Sequence, residues 1–386
     1  HTHAPSESIS RLTTTAPTNI TDNDTLPRAA LYHRQQLQWQ GGKGINVHAD
    51  AILPMLRVGG KQLYRAETPG PMKDAKLTPR ITETAKALWL IYFGITVTCV
   101  FAYWLAGMQL FDAVGHAFST VAIGGFSTHN ESIAFWDNPT IEAVAMVFMA
   151  IAGINFALHF SAWRRASAQP YFLDPELKVY AVLLFSFAVL VSFALFVTGS
   201  YDTLATSFRY GFFQVISAMT TTGFTTAPFF EWTGFLPVLL ICIAFIGGCA
   251  GSTAGGMKVI RVILLYKQSI REVRRLIHPH AVIPIKVGGQ RTSDTVISAV
   301  WGFFFLYIAN FAVMTVMLTA TGLDAETAYS AVGACITNLG PALGEAGPNY
   351  ASLNDPAKVI LSIAMLLGRL EVYTLLVLLT PAFWRD

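Results

Sequence analysis

Long stretches without charge set the first constraint on this chain. Ala87–Leu105, Val179–Val197 and Val296–Leu318 contain no Asp, Glu, Lys or Arg, and Ile141–Phe160, Phe235–Gly247 and Val359–Leu379 are nearly as apolar. A bilayer core about 30 Å thick needs about 20 apolar residues as helix, so several of these runs are long enough to span. Composition agrees: 53% of the 386 residues are hydrophobic and 13% charged, against about 25% charged in an average soluble domain. The chain reads as an all-α, polytopic membrane protein embedded in a lipid bilayer.

Between the runs lie polar segments that cannot cross. Gly115–Pro139, Ser207–Glu231 and Ala325–Pro356 hold or follow short helical stretches, Phe111–Thr120, Ser207–Thr220 and Glu326–Thr337, of a few turns each. A helix of that length dips into a bilayer and returns, and irregular backbone at membrane depth survives only inside protein or along a water-filled path. Four short loops are weakly similar: Leu12-Thr-Thr-Thr-Ala16, Thr120-Val-Ala-Ile-Gly-Gly-Phe126, Met219-Thr-Thr-Thr-Gly-Phe224 and Ile336-Thr-Asn-Leu-Gly340. Their anchors Ala16, Gly125, Gly223 and Gly340 lie 109, 98 and 117 residues apart. A span, a polar loop and a span repeated four times have the plan of a pore whose loops meet on one axis.

Basic residues set the orientation. Seven Lys and Arg fall between Arg57 and Lys86 and eight between Lys258 and Arg291, while Gly107–Pro139 has none and Gly199–Leu236 only Arg209. The positive-inside rule then puts the basic linkers and the C-terminus in the cytoplasm and the re-entrant loops outside. Asp112, Glu131, Asp137, Asp202, Glu231, Asp324, Glu326 and Glu345 cluster on the loop side, where an acidic mouth concentrates cations or simply solvates the loops. Cys99, Cys242, Cys249 and Cys335 sit in apolar surroundings without metal-ligand spacing and read as small buried hydrophobes. No nucleophile–base pair or metal-spaced His/carboxylate cluster supports an enzyme. Nothing calls for a cofactor or a nucleic acid.

The loops suit a dehydrated monovalent cation. Backbone carbonyls replace its water if the chain is held extended, glycine permits the positive φ this needs, and the pore helix directs its partially negative C-terminus at the cavity. Thr221-Thr222-Gly223 fits best, then Ile123-Gly124-Gly125 and Asn338-Leu339-Gly340.

With these loops go longer motifs: His116-Ala-Phe-Ser-Thr-Val-Ala-Ile-Gly-Gly-Phe-Ser-Thr-His129, Ser217-Ala-Met-Thr-Thr-Thr-Gly-Phe224, Gly247-Gly-Cys-Ala-Gly-Ser-Thr-Ala-Gly-Gly-Met-Lys258 and Leu367-Gly-Arg-Leu-Glu371. On these the chain resembles the membrane subunit of Trk-type bacterial potassium uptake systems, in the Trk/Ktr/HKT superfamily. The resemblance implies four span–pore-loop–span units in a pseudo-tetramer, here 1–80, 81–175, 176–292 and 293–386. It implies a homodimer in the bacterial inner membrane, with re-entrant loops in the periplasm, potassium as the transported ion, and a cytosolic nucleotide-binding regulatory ring as partner. Carried over by position, the coordinating pairs are Thr14 and Thr15, Ile123 and Gly124, Thr221 and Thr222, and Asn338 and Leu339, followed by Gly125, Gly223 and Gly340.

Gly247–Gly256 breaks an apolar span with five glycines, Ser252 and Thr253. Its spacing misses the phosphate-loop pattern. An unwound break beneath the filter fits, and the resemblance implies that Gly247, Gly248, Gly251, Ser252, Thr253, Gly255 and Gly256 form a gate. Arg369 lies inside the last span, where a charge usually faces the bundle interior. It either pairs structurally with Glu371 or a helix end, or opposes cations from below the filter and pairs with gate-loop carbonyls.

The first unit departs from the pattern. The chain opens at its pore loop, and the family's preceding span is absent from it. The loop ends in Ala16-Pro17 instead of glycine. The expected following span, Leu37–Leu56, carries Gln40, Lys43, Asn46, His48 and Asp50, and an Asp or Lys near a helix centre costs about 2.5–3.5 kcal/mol. Two readings stay open: a conducting potassium uptake subunit, or a degenerate, non-conducting copy that acts only in membrane assembly or regulation.

Overall fold

The computed structural model describes residues 2–44 and 81–370. Among the described residues there are fourteen α-helices: α1 His3–Leu12, α2 Arg28–Trp39, α3 Ile81–Leu105, α4 Leu110–Ala122, α5 Pro139–Ala152, α6 Phe156–Arg165, α7 Gln169–Leu173, α8 Pro175–Val197, α9 Leu204–Thr220, α10 Leu236–Ile246, α11 Val259–Ile277, α12 Asp294–Ala320, α13 Ala325–Ile336 and α14 Asp355–Arg369. Lys286–Val287 and Gln290–Arg291 pair as a two-stranded ribbon, turned by Gly288 and Gly289 at φ +58° and +82°. That is the backbone a tight hairpin of right-handed twist requires.

The membrane helices differ from soluble ones in where their large side chains go. Ala85–Leu105, Pro175–Val197 and Asp294–Ala320 are each long and apolar enough to cross a bilayer, and they leave Phe93, Phe101, Phe185, Phe193, Phe305 and Val316 on the outside. With lipid as the surroundings those faces have no reason to turn inward. The interior is built from short helices instead. α1, α4, α9 and α13 are the short elements at its centre, and small residues of α4 and α13 are wholly buried: Ala113, Ala117, Ala328, Ala331 and Ala334. Among the described residues one core centres on α8 to α14 and another on α3 to α6 with α9.

Caps fix the helix starts. Asn138, Asp174, Thr203, Ser293, Asp324 and Asn354 each accept an amide of the first turn, and such caps are worth about 1 kcal/mol each. Glu142, the one charge of its apolar run, is buried against Arg209 of α9, which bonds it at 2.8 and 2.7 Å and also reaches Asp137 at 2.8 Å.

Three sequence expectations change. Ile141–Phe160 is not one straight span: it breaks at Gly153–Asn155, and α5 and α6 meet at 93°. Asn155 caps α6, accepting the Ala157 amide at 2.9 Å, while the Gly153 carbonyl accepts the Cys249 amide at 2.9 Å. The hydrogen bonds that a continuous helix would have used are thus taken by a side-chain cap and by an amide distant in sequence. The helix after the first pore loop starts at Arg28, not Leu37, because Pro27 leads into it, and it ends in a π turn at Gln40–Gly44. Asn46, His48 and Asp50 lie outside the described residues. Cys242 is exposed on the outer face of α10, whereas Cys99, Cys249 and Cys335 are buried.

Candidate functional site: four pore loops and the loop beneath them

Each short helix ends in the same unusual backbone. Thr14, Ile123, Thr221 and Asn338 are left-handed at φ +53°, +55°, +60° and +59°, and two residues later Ala16, Gly125, Gly223 and Gly340 stand at +66°, +76°, +83° and +100°. The residue between reaches back into the helix: Thr15 to Ser10 at 3.1 Å, and Gly124 to Ser119, Thr222 to Ser217 and Leu339 to Ala334 at 2.8 Å. This is a left-handed helix cap with a backbone bond to a carbonyl of the last turn. Four sequences that share little adopt one loop.

The loops close on one another in a fixed order. A Cβ added to Gly125 would run into the Thr222 carbonyl oxygen, one on Gly223 into the Leu339 oxygen, and one on Gly340 into the Thr15 oxygen. Each glycine is therefore demanded twice, by its φ and by the neighbouring carbonyl. Ala16, Gly125, Gly223 and Gly340 line one cavity of about 450 Å³ together with Pro17, His129 and Glu131. All eight residues expected to coordinate are buried or nearly so in this ring.

Each strand is braced from behind in its own way. Thr13 and Thr15 pair their hydroxyls at 2.7 Å, and Thr220 and Thr222 do the same at 2.7 Å. Asn338 sends its amide nitrogen to Thr15 Oγ1 at 2.8 Å and to the Met365 carbonyl at 3.1 Å, and the Tyr350 hydroxyl donates to the Gly340 carbonyl at 2.8 Å.

Three of the eight acidic residues expected at the mouth have structural partners. Asp112 accepts from Thr128 at 2.8 Å, and Asp137 holds Arg209. Asp324 caps α13, and hydrogen bonds from the Thr327 side chain and amide hold its carboxyl below the usual range. Of the carboxylates expected at an acidic mouth, Glu131 is the one that lines the cavity.

Beneath the ring, Gly247–Lys258 is unwound between α10 and α11. Gly247, Gly251 and Gly256 are left-handed, and Ser252, Thr253 and Ala254 are buried. The Gly255 amide donates to Thr221 Oγ1 at 2.7 Å, the Gly256 amide to the Thr337 carbonyl at 3.0 Å, and the Thr253 hydroxyl to the Val121 carbonyl at 3.0 Å. The loop thus touches the ends of three pore helices, α4, α9 and α13. Arg369 links it to the π turn after α2, donating to the Thr253 carbonyl at 3.1 Å, to the Gly41 carbonyl at 2.6 Å and to the Gly42 carbonyl. Among the described residues Arg369 thus bonds a carbonyl of the unwound loop, one of the partners expected for it, and Glu371 lies outside the described residues.

Sequence reasoning passed over two residues that matter here. Glu176, in the first turn of α8, accepts the amides of Ala250 at 2.7 Å and Ile260 at 3.0 Å, clasping both ends of the unwound segment. Gln38 of α2 reaches across to the second loop, donating to the Gly124 carbonyl at 2.6 Å. Both look ordinary in sequence, and only an acid just inside an apolar span gave a signal for Glu176.

Comparison with known proteins follows the same lines. The family model described as "Cation transport protein" (TrkH) matches residues 2–385. The chain is 56% identical over 384 residues to the Trk system potassium uptake protein TrkH of Halomonas elongata, covering 100% of this chain and 80% of that protein. It is 52% identical over 380 residues to the protein of the same name from Escherichia coli, covering 98% and 79%. The crystal structure of the potassium transporter TrkH from Vibrio parahaemolyticus superposes with a TM-score of 0.89 at 48% identity, over 100% of this chain and 79% of that one. With its membrane-spanning helices, its four pore loops and this match across almost its whole length, the chain belongs to the TrkH family of cation transport proteins.

Proposed function

We propose that this protein takes up potassium across the bacterial inner membrane through a pore whose filter is the ring of four loops. The observation that carries the reading is the shared left-handed, extended, left-handed backbone of the four loops, closed by glycine-to-carbonyl contacts. The carbonyls of Thr14 and Thr15, Ile123, Thr221 and Thr222, and Asn338 and Leu339 are then the ligands that replace water, and Gly124 completes the second strand of the ring. The segment Gly247–Gly256 with Arg369 is the gate: it lies against the ends of three pore helices and carries a fixed positive charge that repels a cation in a poorly screened cavity. The units run 1–80, 81–175, 176–292 and 293–386, with the loops periplasmic. α11 presents Lys267, Arg274 and Arg275 exposed on the basic side, the surface we assign to a cytosolic nucleotide-binding regulatory ring acting on a homodimer.

One observation favours a second reading, a non-conducting assembly or regulatory subunit: Ala16 brings a side chain to a ring position that is glycine in the other three loops. Rubidium tracer uptake into potassium-starved cells lacking their own uptake systems decides between them. The conducting reading expects uptake by the native chain, and Gly223→Ser to reduce it or to admit sodium. No uptake by a folded, membrane-inserted chain selects the second reading.

A further inference from the structure

Gln38 sits on α2 of the first unit, yet its carboxamide serves the second. Nε2 donates to the Gly124 carbonyl at 2.6 Å, and Oε1 accepts from Ser119 Oγ at 2.8 Å and from the Phe126 amide at 3.2 Å. The side chain is fully buried. Gly124 has no positive φ to explain its lack of a side chain. A Cβ there would strike the Gln38 carboxamide, so the glycine makes room for the glutamine. The first and third loops brace themselves with a threonine pair, Thr13 with Thr15 and Thr220 with Thr222. The second loop has Ala122 and Gly124 at those two positions and cannot.

The same hydrogen bond fixes where the Gly124 oxygen lies. At three junctions of the ring, the oxygen of Thr222, Leu339 or Thr15 occupies the space where the neighbouring glycine would carry a Cβ. That order, second to third to fourth to first, leaves one junction between Ala16 and Gly124. Ala16 possesses the Cβ that the other three positions lack, so the Gly124 oxygen cannot take the equivalent place. It is bonded to Gln38 instead.

We propose that Gln38 is a positioning residue that holds the Gly124 carbonyl out of the ring, so that the layer formed by Thr15, Thr222 and Leu339 offers a cation three oxygens rather than four. The inference rests on the reading of the loops as a potassium filter. A layer short of one protein ligand leaves that coordination place to water. Discrimination between cations depends on how many oxygens replace their hydration, so this filter separates potassium from sodium less sharply than a complete ring.

The test is rubidium tracer uptake with sodium competition in proteoliposomes carrying the full chain. Ala16→Gly removes the obstructing Cβ at a φ of +66° that glycine accepts freely. Alone it is expected to leave the potassium-over-sodium ratio near native, because Gln38 still holds the Gly124 oxygen. Adding Gln38→Met to Ala16→Gly leaves the oxygen neither blocked nor held, and the ratio is expected to rise by about tenfold. A residue that merely supports the loop gives the opposite sign, and a double variant no higher than Ala16→Gly alone overturns the role of Gln38. Should the Met variant not fold, Gln38→Asn, whose shorter arm cannot reach Gly124, replaces it with the same expectation. If the double variant leaves the ratio unchanged while Gly223→Ser lowers it, the filter reading stands and this inference fails. If neither moves the ratio, both fail.

Discussion

The first and third pore loops make an instructive pair. Thr13-Thr14-Thr15-Ala16 and Thr220-Thr221-Thr222-Gly223 share three residues, the same left-handed backbone and the same hydroxyl pair at 2.7 Å. They differ at the last position, and the backbone follows the glycine pattern even where the residue is alanine. The loop conformation therefore does not require glycine at the last position: it comes from the helix cap that all four loops share, and the threonine pair adds a brace in these two. Glycine answers a different demand, the neighbouring carbonyl that leaves no room for a Cβ. A left-handed alanine costs about 1–2 kcal/mol, a strain the first loop bears, whereas the steric demand is met only by removing the side chain or moving the carbonyl.

The sharpest way to break this comparison is to make the third loop like the first. Gly223→Ala forces a Cβ onto the Leu339 oxygen in a ring packed on every side. With about 1–2 kcal/mol of backbone strain and about 1–3 kcal/mol of overpacking, uptake should fall by about 100-fold or sodium should enter freely. Rubidium uptake with sodium competition reads this directly, and near-native transport would show that the ring contacts do not constrain the pore.

A smaller effect is expected below the ring. Arg369→Ala removes a side chain that joins the Thr253 carbonyl to Gly41 and Gly42. Losing charged hydrogen bonds worth about 1.5–3 kcal/mol each should raise resting cation flux roughly tenfold in liposomes without regulator. Flux that stays level or falls in a folded variant would make this arginine structural. Glu176→Gln should act in the same direction but more weakly, about threefold, because the amide oxygen still accepts from Ala250 or Ile260. An unchanged opening rate would show that the clasp does not restrain the loop.

The mildest change tests the braces. Thr222→Val deletes one hydroxyl of the Thr220–Thr222 pair while keeping its shape, and should cost about 1 kcal/mol in thermal unfolding. Thr15→Val should cost more than Thr222→Val, since Thr15 Oγ1 also accepts from Asn338. Equal losses would mean that the fourth strand does not lean on the first.

The division between these regions also marks what the sequence could express. Charge-free runs announced the membrane helices, because lipid imposes a length and a composition that few other environments do. The loops were legible through glycines and threonines at recurring distances, and Gly247–Gly256 through the density of glycine in an apolar run. Partners across units were not legible. Nothing local in Gln38 marks it as a ligand of Gly124, 86 positions away, and Gly124 read as a coordinating residue when its missing side chain is also a berth for that glutamine. The break at Gly153–Asn155 was hidden for a related reason. Apolar content says how deep a segment lies, not whether its hydrogen bonds run along one axis, and Asn155 counts little against so hydrophobic a run.

The central claim, that four loops from one chain form one cation filter, is tested most directly by locating the ion. A crystal or cryo-electron microscopy structure of this protein in rubidium, with anomalous scattering to identify the ion, should show density on the axis enclosed by the Thr14–Thr15, Ile123–Gly124, Thr221–Thr222 and Asn338–Leu339 strands. Rubidium bound only elsewhere, for example beside Glu131 in the cavity above, with the ring unoccupied at saturating ion, would contradict it.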